Sequence, residues 1–143
     1  MTSKPKSDAY KLDDQVGFLM RKANQRHLAI FGKLIPSLTP MQFATCSKLR
    51  ELGAVSQNDL GRQTAMDAAT IKGVIDRLVD QGLVERRRDP NDQRRRAVSL
   101  TEAGVRAYDA LVDAAAAVTA QTLTPLSPTE QARFLALLRK LAP

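Results

Sequence analysis

Apolar residues recur at helical spacing near the start of the chain. A repeat of three or four residues places such side chains along one face of a helix. They are Leu12, Val16, Leu19, Ala23, Ile30 and Leu34. We therefore predict a long first helix from Leu12 to Ile35, which Pro36 stops because proline cannot continue a helix.

The second predicted helix begins with a capping box. In Thr39-Pro40-Met41-Gln42, Thr39 is the N-cap, Pro40 takes the first helical position and the Gln42 side chain reaches back. Gly53 ends this helix. The pattern predicts a helix of ordinary length for a globular domain.

Two shorter helices follow, and the tight turn between them suggests a helix-turn-helix. Ser56 caps the first, which ends near Gln63, and Asp67 caps the second, which Gly82 terminates. The second carries one apolar stripe. Its members are Ile71, Val74, Ile75, Leu78 and Val79.

The hydrophobic period then changes from helical spacing to alternation. Residues 83–87 and 96–100 are strand-like, and the turn formers Asp89-Pro90-Asn91-Asp92 lie between them. This pattern predicts a β-hairpin. Residues 82–101, which contain it, hold six arginines.

Two further helices complete the predicted order. Thr101 caps one that runs through Thr122, and a capping box at residues 127–130 begins the last, which ends near Leu141. The first and last helices are too long and too apolar for all their apolar side chains to be buried inside so small a subunit. We therefore expect a two-fold homodimer in which they pack against a second copy.

Charge narrows the class of partner. The chain of 143 residues has a formal net charge of +7 and a pI of about 10.0, which favours nucleic acid or a membrane surface. Apolar runs fall short of the roughly 20 residues that span a bilayer, and the N-terminus lacks a signal-peptide core. We expect a cytoplasmic protein with no membrane partner.

The fourth helix offers a face suited to the DNA major groove. Small residues Ala68, Ala69 and Gly73 allow close approach, whereas Thr70 can meet a base edge and Lys72 can donate to guanine or phosphate. At the same face, Asp76 would repel phosphate unless Arg77 or a base amino group compensates. The alternative interpretation is an ordinary solvated helix face.

The predicted hairpin tip contains Asp92-Gln93-Arg94. The carboxylate can hold the guanidinium by charge-assisted hydrogen bonds, and a fixed guanidinium fits a narrow minor groove. Alternation directs only some of the other hairpin arginines toward DNA, where they would contact phosphate. The alternative is a solubilising charge run paired with Glu85, Asp89 and Asp92.

The order of these elements resembles the MarR family of winged helix-turn-helix regulators. The resemblance covers about residues 12–141, and its most specific part is Asp-x-Arg followed downstream by Leu-Thr-x-x-Gly. The segments that carry it are Leu38-Thr39-Pro40-Met41-Gln42-Phe43, Gln81-Gly82-Leu83-Val84-Glu85-Arg86, Asp89-Pro90-Asn91-Asp92-Gln93-Arg94 and Leu100-Thr101-Glu102-Ala103-Gly104.

The resemblance implies a mainly α fold with a small β-hairpin, a winged helix-turn-helix with long N- and C-terminal dimerisation helices. On this basis residues 12–36 and 102–143 form the dimerisation helices and residues 37–101 the DNA-binding region. The Lys, Ser and Pro content of residues 1–11 separately predicts a flexible arm. The expected partner is a pseudo-palindromic double-stranded DNA operator. Such dimers usually repress transcription from the operator until a small ligand weakens their binding to DNA. The predicted DNA contacts are Ser56, Gln57, Asp67, Ala68, Ala69, Thr70, Lys72, Gly73, Arg77, Arg86, Arg88, Asp92, Arg94, Arg95 and Arg96.

The first helix gives a local indication of the ligand. Two polar side chains, Asn24 and His27, interrupt an otherwise apolar stripe, and a buried His or Asn needs a hydrogen-bond partner. That partner is either a ligand carboxylate, carbonyl or phenol, or a neighbouring protein group around a packed histidine. The predicted ligand contacts are Met20, Arg21, Asn24, His27 and Phe31.

Two kinds of small aromatic effector fit this helix. Residues 15–22 and 25–27 look similar to the first helix of family members that respond to hydroxycinnamoyl-CoA thioesters. A CoA ligand needs an apolar slot and cations for its phosphates, which Arg21, Lys22 and Arg26 would supply. A free aromatic carboxylate is the competing inducer.

Other functions have less support. A single cysteine and a single histidine exclude a disulfide framework and a Cys- or His-rich metal site, and we expect no cofactor. No catalytic triad or phosphate-cradling glycine pattern indicates an enzyme. Cys46 lies midway along the second helix, unlike the cysteine of peroxide-sensing relatives, which favours a packed thiol. A sequence-indifferent architectural or RNA-binding protein stays the alternative, although aromatic content of 4% argues against single-strand stacking.

Overall fold

The computed structural model describes residues 9–89 and 91–143, without the side chains at positions 89 and 92–95. In this part of the chain, a 3₁₀ turn at Leu12–Asp14 precedes six α-helices and a three-stranded antiparallel sheet. The helices are α1 (Val16–Leu34), α2 (Pro40–Leu52), α3 (Gln57–Gln63), α4 (Ala68–Asp80), α5 (Glu102–Leu123) and α6 (Pro128–Leu141). The strands are β1 (Val55–Ser56), β2 (Val84–Asp89) and β3 (Asp92–Leu100). The predicted mainly α architecture with a small hairpin is confirmed.

The predicted N-caps are confirmed by their hydrogen bonds. In each, the side-chain oxygen accepts from the backbone N–H three residues on, which satisfies a donor that the helix leaves unpaired. These caps are Thr39, Ser56, Asp67, Thr101 and Ser127. Both capping boxes are complete, because Gln42 Oε1 and Glu130 Oε1 accept the N–H of Thr39 and Ser127 at 3.1 and 2.8 Å.

The first helix is shorter than the apolar spacing predicts. Gln15 is extended, with φ −88° and ψ 139°, and separates the 3₁₀ turn from α1. Its side-chain amide donates to the Lys11 carbonyl oxygen at 2.8 Å. The predicted start at Leu12 is therefore wrong, since helical spacing does not require an unbroken helix.

The sheet is larger than the predicted hairpin. Strand β2 begins at Val84 and ends beyond the predicted 83–87, and β3 begins before the predicted 96–100. Strand β1 adds a third strand through the pairing of Val55 with Val98. A strand of two residues is too short to show alternation, so it could not be predicted from the hydrophobic pattern. The result is the order β1-β3-β2, with β3 in the centre.

The core lies between α2, α3, α4 and the inner face of the sheet. Ile35, Leu60, Ile75, Leu78 and Val98 are fully enclosed there. The long helix α5 joins this core through Val118 and is tied to α2 by a hydrogen bond between Tyr108 and Ser47 and a bidentate ion pair between Asp109 and Arg50. These contacts connect the compact part of the fold to the terminal helices.

The terminal segments expose a large apolar surface. Helix α6 has no buried residue among those described, and the neighbouring ends of the chain also present apolar side chains to solvent. The exposed set includes Tyr10, Leu12, Val16, Leu19, Met20, Phe134, Leu137 and Leu141. None of the described helices has the length and apolarity that crossing a bilayer requires.

Candidate DNA-binding surface and effector groove

The connection between α3 and α4 sets the orientation of α4. Ala65 adopts the left-handed conformation, with φ +56°, and the Thr64 hydroxyl donates to the Leu60 carbonyl oxygen at 2.7 Å. A Cβ on Gly61 would lie 3.1 Å from the Met66 carbonyl oxygen and 3.2 Å from Ile71, so the two helices approach closely. This geometry is that of a tight helix-turn-helix.

Helix α4 divides into a buried and an exposed face, as predicted. Ile71, Val74, Ile75 and Leu78 are buried in the core. Thr70 is half-buried at the flank of the helix. The exposed residues are Ala68, Ala69, Lys72, Gly73, Arg77 and, at the end of the helix, Asp80. Small side chains and two cations therefore share the outward face.

Asp76 on this face has partners other than the predicted Arg77. Its two carboxylate oxygens accept from Lys72 Nζ at 2.9 Å and from Arg86 Nη2 at 2.5 Å. Two hydrogen bonds lower the pKa of Asp76 below its usual range, and the one from Lys72 has a larger effect than the one from Arg86. Arg77 instead lines a separate cavity with Thr39 of the α2 cap.

Arg86, one of the predicted DNA contacts, faces α4. Strand alternation places it opposite the buried Val98, on the hairpin face that packs toward α4. Its side chain is 24% exposed, the lowest exposure among the three partners of the Asp76 cluster. Arg86 therefore links the hairpin, which is the wing of this fold, to α4.

The two faces of the hairpin carry different arginines. Arg88 pairs in register with Arg96, on the same face as Arg86, whereas Arg87 lies on the opposite face and contacts Glu85 at 2.8 Å. The predicted pairing of arginines with acidic neighbours thus holds for Arg87. The side chains of Asp92, Arg94 and Arg95 lie outside the described residues.

A cationic cavity forms where α4 meets the hairpin. Its volume is about 350 Å³. The lining residues are Gln57, Lys72, Asp76, Arg86, Arg96 and Val98. Among the side chains that the structure describes, three cations and one carboxylate line the cavity, so this lining has a net positive charge and complements a polyanion.

Ser56 and Asp67 use their side-chain oxygens as helix caps. The Ser56 hydroxyl accepts from the Asp59 N–H at 3.2 Å, and the Asp67 carboxylate accepts from the Thr70 N–H at 2.7 Å. The backbone hydrogen bond from Thr70 is the main cause of the lowered pKa of Asp67. Both predicted DNA contacts thus have a structural role at the ends of α3 and α4.

A second, largely apolar groove lies between α1, α5 and α6. Its volume is about 370 Å³, and it brings together the predicted ligand contacts Met20, Asn24 and His27. The sequence did not predict the residues that α5 and α6 contribute, because nothing local shows which helix faces meet. They are Thr119, Thr122, Leu123, Phe134, Leu135 and Leu138.

The other two predicted ligand contacts lie elsewhere. Phe31 is 6% exposed and packs edge-to-face against Phe43, with ring centroids 6.2 Å apart. Arg21 is exposed and does not line the groove. Phe31 therefore belongs to the core and not to the groove.

Polar contacts attach α1 to the last turn of α5 beside this groove. The Arg26 guanidinium donates to the carbonyl oxygens of Thr122 and Gln121 at 2.6 and 2.9 Å. His27 Nδ1 lies 2.9 Å from the Thr122 hydroxyl. The packed-histidine interpretation thus accounts for one ring nitrogen of His27.

Cys46 is enclosed in the core. Its exposed fraction is 2%, and burial raises the pKa of the thiol to about 11. A thiol with a raised pKa is a poor nucleophile at neutral pH. This environment fits the predicted packing role.

Comparison with known proteins places these features in one family. The sequence model of the MarR family matches residues 38–95, which span α2 to the hairpin. The HTH-type transcriptional repressor NicR of Pseudomonas putida is 42% identical over 134 residues, which cover 92% of this chain and 85% of NicR.

Two solved structures have the same fold. A probable transcriptional regulator from Pseudomonas aeruginosa is 50% identical, with a TM-score of 0.90 over 92% of this chain and 99% of that one. BpsR of Bordetella bronchiseptica, whose DNA binding is regulated by 6-hydroxynicotinic acid, is 41% identical, with a TM-score of 0.89 over 93% of this chain and 96% of BpsR. Since sequence and fold agree along nearly the whole chain, the protein belongs to the MarR family of winged helix-turn-helix, DNA-binding transcriptional regulators.

Proposed function

We propose that this protein is a repressor that binds a pseudo-palindromic operator as a homodimer and is released by a small aromatic carboxylic acid. The observation that carries the DNA-binding part is the cavity between α4 and the hairpin. There, Lys72, Arg86 and Arg96 converge from three elements beside the outward face of α4. A duplex can contact both surfaces at once.

In this proposal α4 lies in the major groove and the hairpin reaches the adjacent minor groove. Thr70, Lys72 and Gly73 face base edges, and Arg94 at the tip enters the minor groove. The remaining predicted residues contact the sugar-phosphate backbone or support those that do. They are Ser56, Gln57, Asp67, Ala68, Ala69, Arg77, Arg86, Arg88, Asp92, Arg95 and Arg96.

The homodimer is supported by the exposed apolar residues of the terminal helices. Val16 is 63% exposed and Leu141 70% exposed, and extensive exposure of apolar side chains is typical of an interface. A two-fold dimer would present two copies of α4 to successive major grooves, about 34 Å apart. The proposed half-sites are therefore one helical turn apart.

The proposed effector site is the groove between α1, α5 and α6. Its volume of about 370 Å³ suits a single-ring ligand, with Phe134 and Leu138 against the ring and His27 and Asn24 near the polar groups. BpsR supports this class of ligand, because its DNA binding is regulated by 6-hydroxynicotinic acid, an aromatic carboxylic acid.

An aromatic acyl-CoA thioester fits the groove less well. Its phosphates need cations, and His27 is the only residue among those lining the groove that can carry a positive charge. The nearby Arg26 already donates to two carbonyl oxygens of α5. The free acid is therefore the favoured effector.

Selection of duplexes from a random-sequence pool tests the DNA-binding part. We expect an inverted repeat whose half-sites are centred about 10 base pairs apart. Fluorescence anisotropy at fixed salt should then show much weaker binding to a shuffled duplex of the same composition. Equal affinity for both duplexes would favour the sequence-indifferent architectural alternative.

Release by an acid tests the effector part. We expect 6-hydroxynicotinic acid or a related single-ring aromatic acid to raise the dissociation constant for the selected duplex and to raise the melting temperature of the free protein. 2-Hydroxypyridine, which keeps the hydroxylated ring of 6-hydroxynicotinic acid and lacks the carboxylate, is the matched control. Release by a hydroxycinnamoyl-CoA thioester alone would contradict the proposed ligand class.

A further inference from the structure

A carboxylate lies in the middle of the surface proposed to meet DNA. The side chain of Asp76 is 42% exposed on the outward face of α4 and lines the cationic cavity. A negative charge there repels phosphate, so it lowers affinity for any duplex.

The two oxygens of Asp76 are shared between two separate elements. Lys72, one helical turn earlier on α4, donates to Oδ2, and Arg86 on β2 donates to Oδ1. These bonds lower the pKa of Asp76, so the carboxylate is charged at neutral pH. The same residue therefore fixes a side chain of α4 and connects that helix to the wing.

Operator and non-operator DNA make different demands on this arrangement. Binding to arbitrary sequence depends on the number of cations that can reach phosphates, whereas operator binding also requires α4 and the wing at a fixed separation. A carboxylate that holds two cations weakens binding to DNA of arbitrary sequence and supports binding to the operator.

We propose, on the basis of the proposed operator-binding function, that Asp76 is a specificity-determining residue. Its charge penalises binding to non-operator DNA, and its bridge between Lys72 and Arg86 positions α4 relative to the wing. Asp76 thus weakens binding to DNA of arbitrary sequence and increases the ratio of operator to non-operator affinity.

Asp76→Asn tests both effects, because it removes the charge and keeps the size of the side chain. We expect the dissociation constant for a shuffled duplex to fall roughly three- to eight-fold at about 0.1 M salt, as for one added phosphate contact. The dissociation constant for the duplex selected by the wild-type protein should rise roughly five-fold or more, because the bridge is lost.

Two further variants separate the two effects. Asp76→Glu keeps the charge and displaces the carboxylate, so it should weaken binding to the selected duplex and leave the shuffled duplex at its wild-type affinity. Asp109→Asn makes the same change in net charge and breaks the ion pair with Arg50, away from this surface. It should leave the ratio of the two affinities unchanged.

The outcomes distinguish this inference from the proposed function. If Asp76→Asn changes both dissociation constants by the same factor, or if Asp76→Glu also tightens binding to the shuffled duplex, the inference is overturned and the operator-binding function stands. If the wild-type protein selects no sequence, the proposed function and the inference are both overturned. Circular dichroism of each variant confirms that the comparison is between folded proteins.

Discussion

His27 Nδ1 lies 2.9 Å from the hydroxyl oxygen of Thr122 and joins α1 to the last turn of α5. This contact occurs within the groove that also contains Asn24 and Phe134. Because it uses Nδ1, the atom through which His27 would bind a ligand carboxylate is Nε2. The contact thus allows a structural role and a ligand-binding role for the same histidine.

Replacement of His27 separates these two roles. We expect His27→Ala to raise the concentration of aromatic acid that half-releases the selected duplex by about ten-fold, the effect of losing one charge-assisted hydrogen bond. Affinity for the duplex without effector should change much less. Both quantities follow from anisotropy titrations at fixed salt.

Thr122→Val is the matched control for His27→Ala. It removes the hydroxyl partner of Nδ1 and keeps the imidazole in the groove. If it blunts release as strongly as His27→Ala does, the shared contact is structural. If the acid releases His27→Ala at the wild-type concentration, His27 serves packing alone.

Arg94 at the hairpin tip should contribute to operator affinity through the minor groove. We expect Arg94→Ala to weaken binding to the selected duplex by about 1–3 kcal/mol and to leave the dimer folded. Arg87→Ala removes the same charge from the hairpin face that contacts Glu85, and it should cost less than about 0.5 kcal/mol. Equal losses in the two variants would mean that the hairpin acts only through its total charge. Unchanged affinity in Arg94→Ala would contradict the minor-groove role.

The starts of the five helices that have a side-chain cap could be predicted from sequence because their determinants are local. A cap such as Thr39 or Asp67 accepts a hydrogen bond from a backbone N–H group only three residues further along the chain. The apolar stripe of α4 is equally local, since the period of the helix alone defines it. These elements place the outward face of α4 without any knowledge of tertiary structure.

The partners of Asp76 show where such prediction fails. The sequence suggested the adjacent Arg77, but successive helical residues point about 100° apart and do not face each other. Lys72 has the spacing that a helix requires, whereas Arg86 reaches Asp76 only because β2 returns along α4. A pattern along one element cannot show such a long-range contact.

The stripe of α1 gives the same lesson for the ligand groove. Met20, His27 and Phe31 share the predicted face of α1, but different helices pack against different parts of that face. Phe43 of α2 covers Phe31, and α6 meets the part around Met20. The sequence predicts which residues lie together, and only the packing shows what each part contacts.

Gly104 should be essential to the junction between α5 and the hairpin. A Cβ at this position would overlap the Leu83 carbonyl oxygen, which also accepts the Thr101 N–H at 3.0 Å. Because that backbone cannot easily move, we expect Gly104→Ala to lower the free energy of unfolding by more than about 2 kcal/mol. Urea denaturation at a fixed protein concentration measures this change.

Gly73→Ala is the control for this prediction. Gly73 also lies within a helix, but a Cβ there meets no atom within 4 Å. Alanine should therefore stabilise the fold by about 0.5–1 kcal/mol through its higher helix propensity. If Gly73 faces DNA as proposed, the same variant should bind the selected duplex more weakly. Similar stabilities for both alanine variants would contradict the close approach at Gly104.

The buried thiol of Cys46 should make stability depend on alkaline pH. Desolvation raises its pKa from 9.0 to about 11, so the folded protein disfavours the thiolate more than the unfolded chain does. The stability from keeping the thiol neutral is fully present below pH 9.0 and is lost as the pH rises toward about 11. The free energy of unfolding of the wild-type protein should therefore fall more steeply over this range than that of Cys46→Ala, because the comparison cancels the other groups that titrate there.

The same burial predicts that the protein does not sense peroxides through Cys46. Thiolate is the reactive form, and burial suppresses both its formation and its access to reagents. Iodoacetamide at pH 8 should label Cys46 only after denaturation, and cumene hydroperoxide should leave the affinity for the selected duplex unchanged in the wild-type protein and in Cys46→Ala. If peroxide released the wild-type protein from DNA and left Cys46→Ala bound, opening of the core around α2 would have to be part of regulation, and the assignment of Cys46 to packing would be wrong.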